Sequence, residues 1–194
     1  TVFRIELFPA YRLLGERSAM ISAGAYDEGA TCVVPGYLDW LSRKGLSGRG
    51  VIVQVQDDGI EQGISTGDPG TAHADLLGRI AGIDNATDDP LGDSGAGHGS
   101  INAGIVAANA STGVQDAAGF FPGLGIAPGA EVFATKIFKN STRFDIGART
   151  FSDLARVAAQ AGCTVSSNSW GAPIFGEYDA GAAEFDALTR DVER

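Results

Sequence analysis

VIVQVQDDG, residues 51–59, is the stretch from which the rest of the chain can be read. Its first six residues are β-branched apolar side chains interrupted by two glutamines, a composition suited to a strand buried on both faces. Asp57, Asp58 and Gly59 then close it as an acidic turn. A second stretch, GHGS at 97–100, leads into a run of small residues, HGSINAGIVAAN. Together the two stretches set a carboxylate, Asp57, and an imidazole, His98, at the ends of two buried elements. An imidazole becomes a general base when a buried carboxylate fixes its tautomer and stabilises its cation. The sequence offers no third partner to this pair.

Working outward, strand and helix patterns alternate: strand 51–57, helix 98–108, strand 131–138, helix 152–161, strand 164–169, helix 178–193. Ser152 is the expected N-cap of the 152–161 helix and Gly162 its stop. Residues 37–44 form a short helix ended by Gly45. Residues 60–97 read mostly as loop, with an apolar patch at 76–83. Residues 2–8 alternate as a strand, placing a strand and a turn in segment 1–25. The alternation predicts an α/β fold, a parallel β-sheet flanked by helices with right-handed crossovers. In such sheets sites form beyond the carboxyl ends of the strands. Asp57 and Ser169-Trp170-Gly171 lie at two of these ends.

The totals narrow the function. The chain has 194 residues, enough for one domain with a sizeable core, and its 28 glycines signal tight turns and close backbone approaches. A net charge of −10 argues against nucleic acid or an anionic membrane as partner. It fits a soluble secreted protein or one that holds cations. No apolar run reaches the roughly eighteen residues of a membrane span. Cys32 and Cys163 show no metal-type spacing; a disulfide and two separate buried thiols both fit. Thr1 is not an initiator methionine, so the start is expected to have been cut or trimmed.

Five motifs then occur in order: Val55-Gln56-Asp57-Asp58-Gly59-Ile60, His73-Ala74-Asp75-Leu76, His98-Gly99-Ser100, Gly125-Ile126-Ala127-Pro128-Gly129-Ala130 and Asn168-Ser169-Trp170-Gly171. In these, from about Gly45 onward, the chain resembles the subtilisin-like serine proteases (subtilases), with Asp before His as in subtilisin. DDGIE and SNSWGAP resemble the kexin-like and alkaline bacterial branch. The resemblance implies a subtilisin-like three-layer fold and a secreted serine endopeptidase with an Asp-His-Ser triad. Asp57 would orient the base and His98 would be the base. Ser169, Trp170 and Gly171 would form the strand edge along which a polypeptide substrate pairs. Asp58 would face a substrate side chain, and Asp75 would bind a structural calcium ion. Residues 1–25 resemble a propeptide–mature junction, and 26–194 the N-terminal part of the catalytic domain.

The chain also departs from the family pattern. Gln54 and Gln56 need partners in a buried strand. Ile101 and Asn102 stand where His and Val are usual, placing an amide close to the core. The family's nucleophilic Ser and oxyanion Asn would fall beyond Arg194. A downstream segment or second chain is therefore the expected source of the Ser. The alternative is a catalytically incompetent subtilase-fold fragment that binds peptides or partners.

Three further patterns occur in the sequence. Gly92-Asp93-Ser94-Gly95 imitates the nucleophile motif of trypsin-like proteases, but the strand–helix alternation contradicts a double β-barrel. Asp84, Asp88, Asp89 and Asp93 form an acidic loop that either holds a cation or is simply solvated. Gly123-Leu124-Gly125 precedes a strand, which rules out a dinucleotide loop.

Overall fold

The expected parallel sheet is present in the computed structural model, which describes residues 15–29, 31–64 and 72–191. The expected strand at 2–8 lies outside the described residues. Helices α1 (Gly15–Ser22) and α2 (Tyr37–Lys44) precede strand β1 (Ile52–Asp57), followed by β2 (Ile80–Asn85), α3 (His98–Ala107), β3 (Glu131–Lys136), α4 (Phe151–Gln160), β4 (Cys163–Ser167) and α5 (Ala180–Asp191). The strands run parallel in the order β2-β3-β1-β4, so β1 is internal, as its composition requires. The architecture is α/β, with the sheet flanked by helices.

On one face, Val53 and Val55 of β1 and Val132 and Ala134 of β3 form a core with Ile60, Leu76 and the α3 alanines 103 and 107. Both alanines are fully buried. Their small side chains let α3 lie close to the sheet, which brings the start of the helix to the end of β1. The opposite parity of β1 carries the two glutamines. Gln54 bridges its neighbours: its Nε2 donates to Thr135 Oγ1 at 2.8 Å, and Ser166 Oγ donates to its Oε1 at 2.8 Å. Gln56 is buried and its Nε2 finds no partner among the described residues. Helix α4 packs on β3 and β4, burying Leu154 and Ala158.

The structure corrects three local expectations. The N-cap of α4 is Thr150, not Ser152. Thr150 Oγ1 accepts from Asp153 N at 3.1 Å while Asp153 Oδ2 accepts from Thr150 N at 2.9 Å, a reciprocal capping box. Ser152 lies in the first turn and donates through N and Oγ to Glu184 Oε1, tying α4 to α5. Strand β2 arises inside the stretch read as loop. Its sequence, IAGIDN, lacks a clean alternation, and its pairing with β3 shifts register between Ile80 and Gly82. Segment 1–25 holds helix α1, whose Ala19 and Met20 join Tyr37, Leu41 and Leu124 in a second core. Buried Glu16 anchors that core by accepting from the backbone N–H groups of Gly36, Tyr37 and Phe121 at 2.7, 2.8 and 2.6 Å.

No helix among the described residues is long and apolar enough to cross a membrane.

Candidate active site

Asp57 ends β1 and His98 opens α3. The β1–α3 packing brings His98 Nδ1 to 2.7 Å from Asp57 Oδ1. An ionised carboxylate has no proton to give, so Nδ1 carries the hydrogen and donates it. Asp57 Oδ1 also accepts from Asp58 N at 2.8 Å, and its Oδ2 accepts from Asn102 Nδ2 at 2.9 Å. Asp57 is 2% exposed, whereas the His98 side chain is 55% exposed. The arrangement is a buried carboxylate holding a half-exposed ring in one tautomer. Nε2 is left as the nitrogen that can meet a reacting group.

Asp58 takes a different direction from its neighbour. Its Oδ1 accepts from Ser94 Oγ and from Gly99 N, both at 2.6 Å, and its Oδ2 accepts from Ala96 N at 2.9 Å. Gly97, the residue before α3, makes no side-chain cap. Asp58 therefore caps the helix from another element, with its negative charge at the positive end of the helix dipole. The resemblance implies that Asp58 faces a substrate side chain; here it is buried, with both oxygens bonded to Ser94, Ala96 and Gly99 of the chain itself. The contact demands glycine at two positions. A Cβ on Gly99 would lie 2.1 Å from the carbonyl oxygen of Gly59. Gly59 itself has φ of 111°, and a Cβ there would lie 2.3 Å from the carbonyl oxygen of Asp93.

The acidic loop forms a salt-bridge network. Lys136, fully buried and paired with Asp57 in the β1–β3 register, reaches Asp89 at 3.1 Å and Asp93 at 3.2 Å. It also donates to Asn140 Oδ1 at 2.6 Å. Arg149 grips Asp84 through both nitrogens, at 2.8 and 2.6 Å. Lys139 pairs with Asp88 and, at 2.9 Å, with Asp145. The amide of Asn140, aided by Lys136, holds Asp89 below the usual carboxylate range. Burial pushes Asp93 upward, but hydrogen bonds from Asn140 and Lys136 outweigh it and lower its pKa. Ser94, the apparent nucleophile of the GDSG pattern, spends its hydroxyl on Asp58.

The resemblance implies a structural calcium ion at Asp75. Calcium wants six to eight oxygens. Asp75 Oδ1 already accepts from Ser111 N at 2.6 Å, and the nearest titratable partner of Oδ2 is His73 Nδ1 at 3.8 Å. The guanidinium of Arg79 donates to the Asp75 carbonyl, setting a cation beside the site. No group of three His, Cys, Asp or Glu side chains among the described residues could hold a metal.

Ser169 and Gly171 are exposed and follow β4 beyond its last ladder pair, Val55–Ser167. Trp170 turns into an aromatic cluster, stacked on Phe151 at 5.3 Å between centroids and 5.9 Å from Phe185. Its Nε1 is buried without a partner among the described residues. The two cysteines are free; Cys32 is exposed, and burial pushes the Cys163 thiol up to about 11. Sequence reading noted Asn102 only as a departure and passed over Lys136. The signal for Asn102 was its place one helical turn after His98, which puts both on one face.

In open α/β sheets sites form beyond the carboxyl ends of the strands, and the Asp57–His98 pair lies at such an end of the internal strand β1. The sequence model of the subtilase family matches residues 48–193, and the chain belongs to that family. Among solved structures, the CspB protease of Clostridium perfringens is similar at 19% identity and a TM-score of 0.52, covering 78% of this chain and 35% of its own. The psychrophilic subtilisin-like protease Apa1 from the Antarctic psychrotroph Pseudoalteromonas sp. AS-11 gives 16% identity and a TM-score of 0.47, covering 77% and 31%. The chain thus spans about a third of the length of these structures. No curated protein sequence matches it.

Proposed function

We propose that Asp57 and His98 are the orienting carboxylate and the general base of a serine endopeptidase, and that the nucleophilic Ser comes from outside this chain. The observation that carries the reading is the 2.7 Å bond between a buried Asp57 and a half-exposed His98. With Nδ1–H held by Asp57, the other ring nitrogen takes the proton of a Ser hydroxyl as its oxygen attacks the peptide carbonyl. The same proton then passes to the leaving amine, and water repeats the cycle on the acyl-enzyme. Asp57 keeps the ring in the required tautomer throughout and stabilises its cation.

The Ser is supplied by a downstream segment of the same gene product or by a second chain. Ser169 and Gly171, exposed beyond β4, are the backbone that pairs with a polypeptide substrate. Trp170 supports that segment from its aromatic cluster. Secretion and kinship with the kexin-like and alkaline bacterial branch belong to the same proposal. Fluorophosphonate labelling of the full protein, with the adduct mapped by peptide mass, tests it. A Ser adduct that disappears in His98→Ala is the expected result. Equal labelling of His98→Ala and wild type would remove the reading.

A further inference from the structure

We propose that Asn102 is a second positioning residue of the base, holding the oxygen of Asp57 that His98 leaves free. The inference rests on reading Asp57 and His98 as the base pair. Asp57 Oδ1 carries two donors, Asp58 N and His98 Nδ1. Oδ2 is bonded by Asn102 Nδ2 at 2.9 Å. Without that amide a buried carboxylate would have one oxygen doubly held and the other unmet, and could rotate about its Cβ–Cγ bond. With it, the carboxylate plane is pinned from both sides.

The orientation of the amide is determined by its neighbours. Asn102 Nδ2 lies 3.2 Å from His98 Nδ1, and both face the same carboxylate. Turning the amide over would set its carbonyl oxygen against Asp57 Oδ2, so the NH2 group faces the acid. Two donors side by side, one from the ring and one from the amide, grip the two oxygens as a fork. Because Asn102 stands four residues after His98 on α3, the helix itself spaces the two prongs.

Packing gives no other reason for an amide there. Helix α3 meets the sheet through buried Gly99, Ala103 and Ala107, and Asn is a weaker helix former than the alanines around it. A polar side chain at that place answers to a polar partner, and the partner is Asp57.

The test uses the full protein and reads both the rate of fluorophosphonate labelling and peptide hydrolysis. Asn102→Val removes the donor and keeps the bulk near the side chain; Asn102→Ser is the smaller second variant should valine disturb the helix. Each is measured with Asp57 present and in the Asp57→Ala background, with His98→Ala as the control for the base pair. The expected result is a fall in kcat of about 10- to 100-fold at unchanged KM, the rate equivalent of one buried charge-assisted hydrogen bond. In Asp57→Ala the same substitution should change nothing further, because no Oδ2 remains to be held. A purely structural role would take the same factor from both backgrounds, and that outcome overturns the proposal, as does a variant as fast as wild type. If His98→Ala labels at the wild-type rate, the base pair itself is misread and the inference falls with it. If His98→Ala is dead and Asn102→Val is unaffected, only the role of Asn102 is lost.

Discussion

Replacing Asp58 by alanine should unfold the start of α3 while leaving the composition of the base pair untouched. The carboxylate meets three donors: Ser94 Oγ, Ala96 N and Gly99 N, at 2.6 to 2.9 Å. Asp58 is only 5% exposed, so alanine leaves those donors facing a small void. An orphaned buried donor costs about 1–3 kcal/mol, and loss of a carboxylate at a helix N-terminus adds about 0.3–1 kcal/mol. Water entering the half-buried loop recovers part of this, which gives an expected loss of about 3–5 kcal/mol. With a urea slope of about 2 kcal/mol/M, the unfolding midpoint should move down by about 1.5–2.5 M. Equilibrium urea unfolding of the full protein, followed by tryptophan fluorescence, reads this directly. Asp58→Asn keeps one acceptor oxygen and should fall between wild type and alanine. Cleavage preference across a peptide library should be the same for wild type and Asp58→Asn. A midpoint within 0.3 M of wild type, or a changed preference at unchanged stability, would refute the reasoning and return Asp58 to the substrate.

Other outcomes follow from the same contacts. Gly99→Ala sets a Cβ against the Gly59 carbonyl at 2.1 Å, so the start of α3 must shift. A destabilisation of about 3 kcal/mol or more is expected in the same urea assay, with labelling of the nucleophile lost in step. The salt-bridge network gives stability a defined pH dependence. The folded pKa values of Asp89, Asp93 and Asp145 are lowered, so their contribution is present above the unfolded value, about 4, and is lost as pH falls through the folded values. Lys139 is raised by Asp88 and Asp145, so its contribution is lost only as pH climbs past the ordinary lysine value of about 10.4. Thermal midpoints measured against pH should therefore drop below about pH 4, and Lys139→Ala should flatten that acid limb. A limb of unchanged steepness would show that the network carries little. Asp75→Asn should lower the thermal midpoint, because the Asp75 carboxylate accepts from Ser111 N, and a loss that is equal with calcium and with chelator makes that role structural. A calcium-dependent difference between the two proteins would make Asp75 a ligand.

How much of the site was legible depended on whether its partners were near in sequence or pattern. The pair Asp57 and His98 could be named because each ends a recognisable element: a β-branched run for one, a glycine-flanked helix start for the other. The helices at 98–107 and 151–160 showed through their small-residue and amphipathic patterns. Strand β2 did not show, because an edge strand with Gly82 at a register shift lacks alternation. The cap of α4 is Thr150 and not Ser152, two residues on; both are hydroxyl residues, and only the reciprocal bond with Asp153 separates them.

The sequence by itself determined the alternation of strand and helix, the parallel sheet that follows from it, the family, and which carboxylate and imidazole stand at element ends. These are properties of local periodicity and motif order. Only the tertiary structure decided that Asp58 turns inward to cap α3 and that Lys136, Lys139 and Arg149 neutralise the acidic loop. It alone joined Asn102 to Asp57. The physical reason is common to all three. A carboxylate's role is set by which donors lie within about 3 Å of its oxygens. For Asp58 and Asp57, apart from the adjacent Asp58 N on Asp57, those donors sit 36 to 45 residues away along the chain. They meet only once α3 has packed on the sheet.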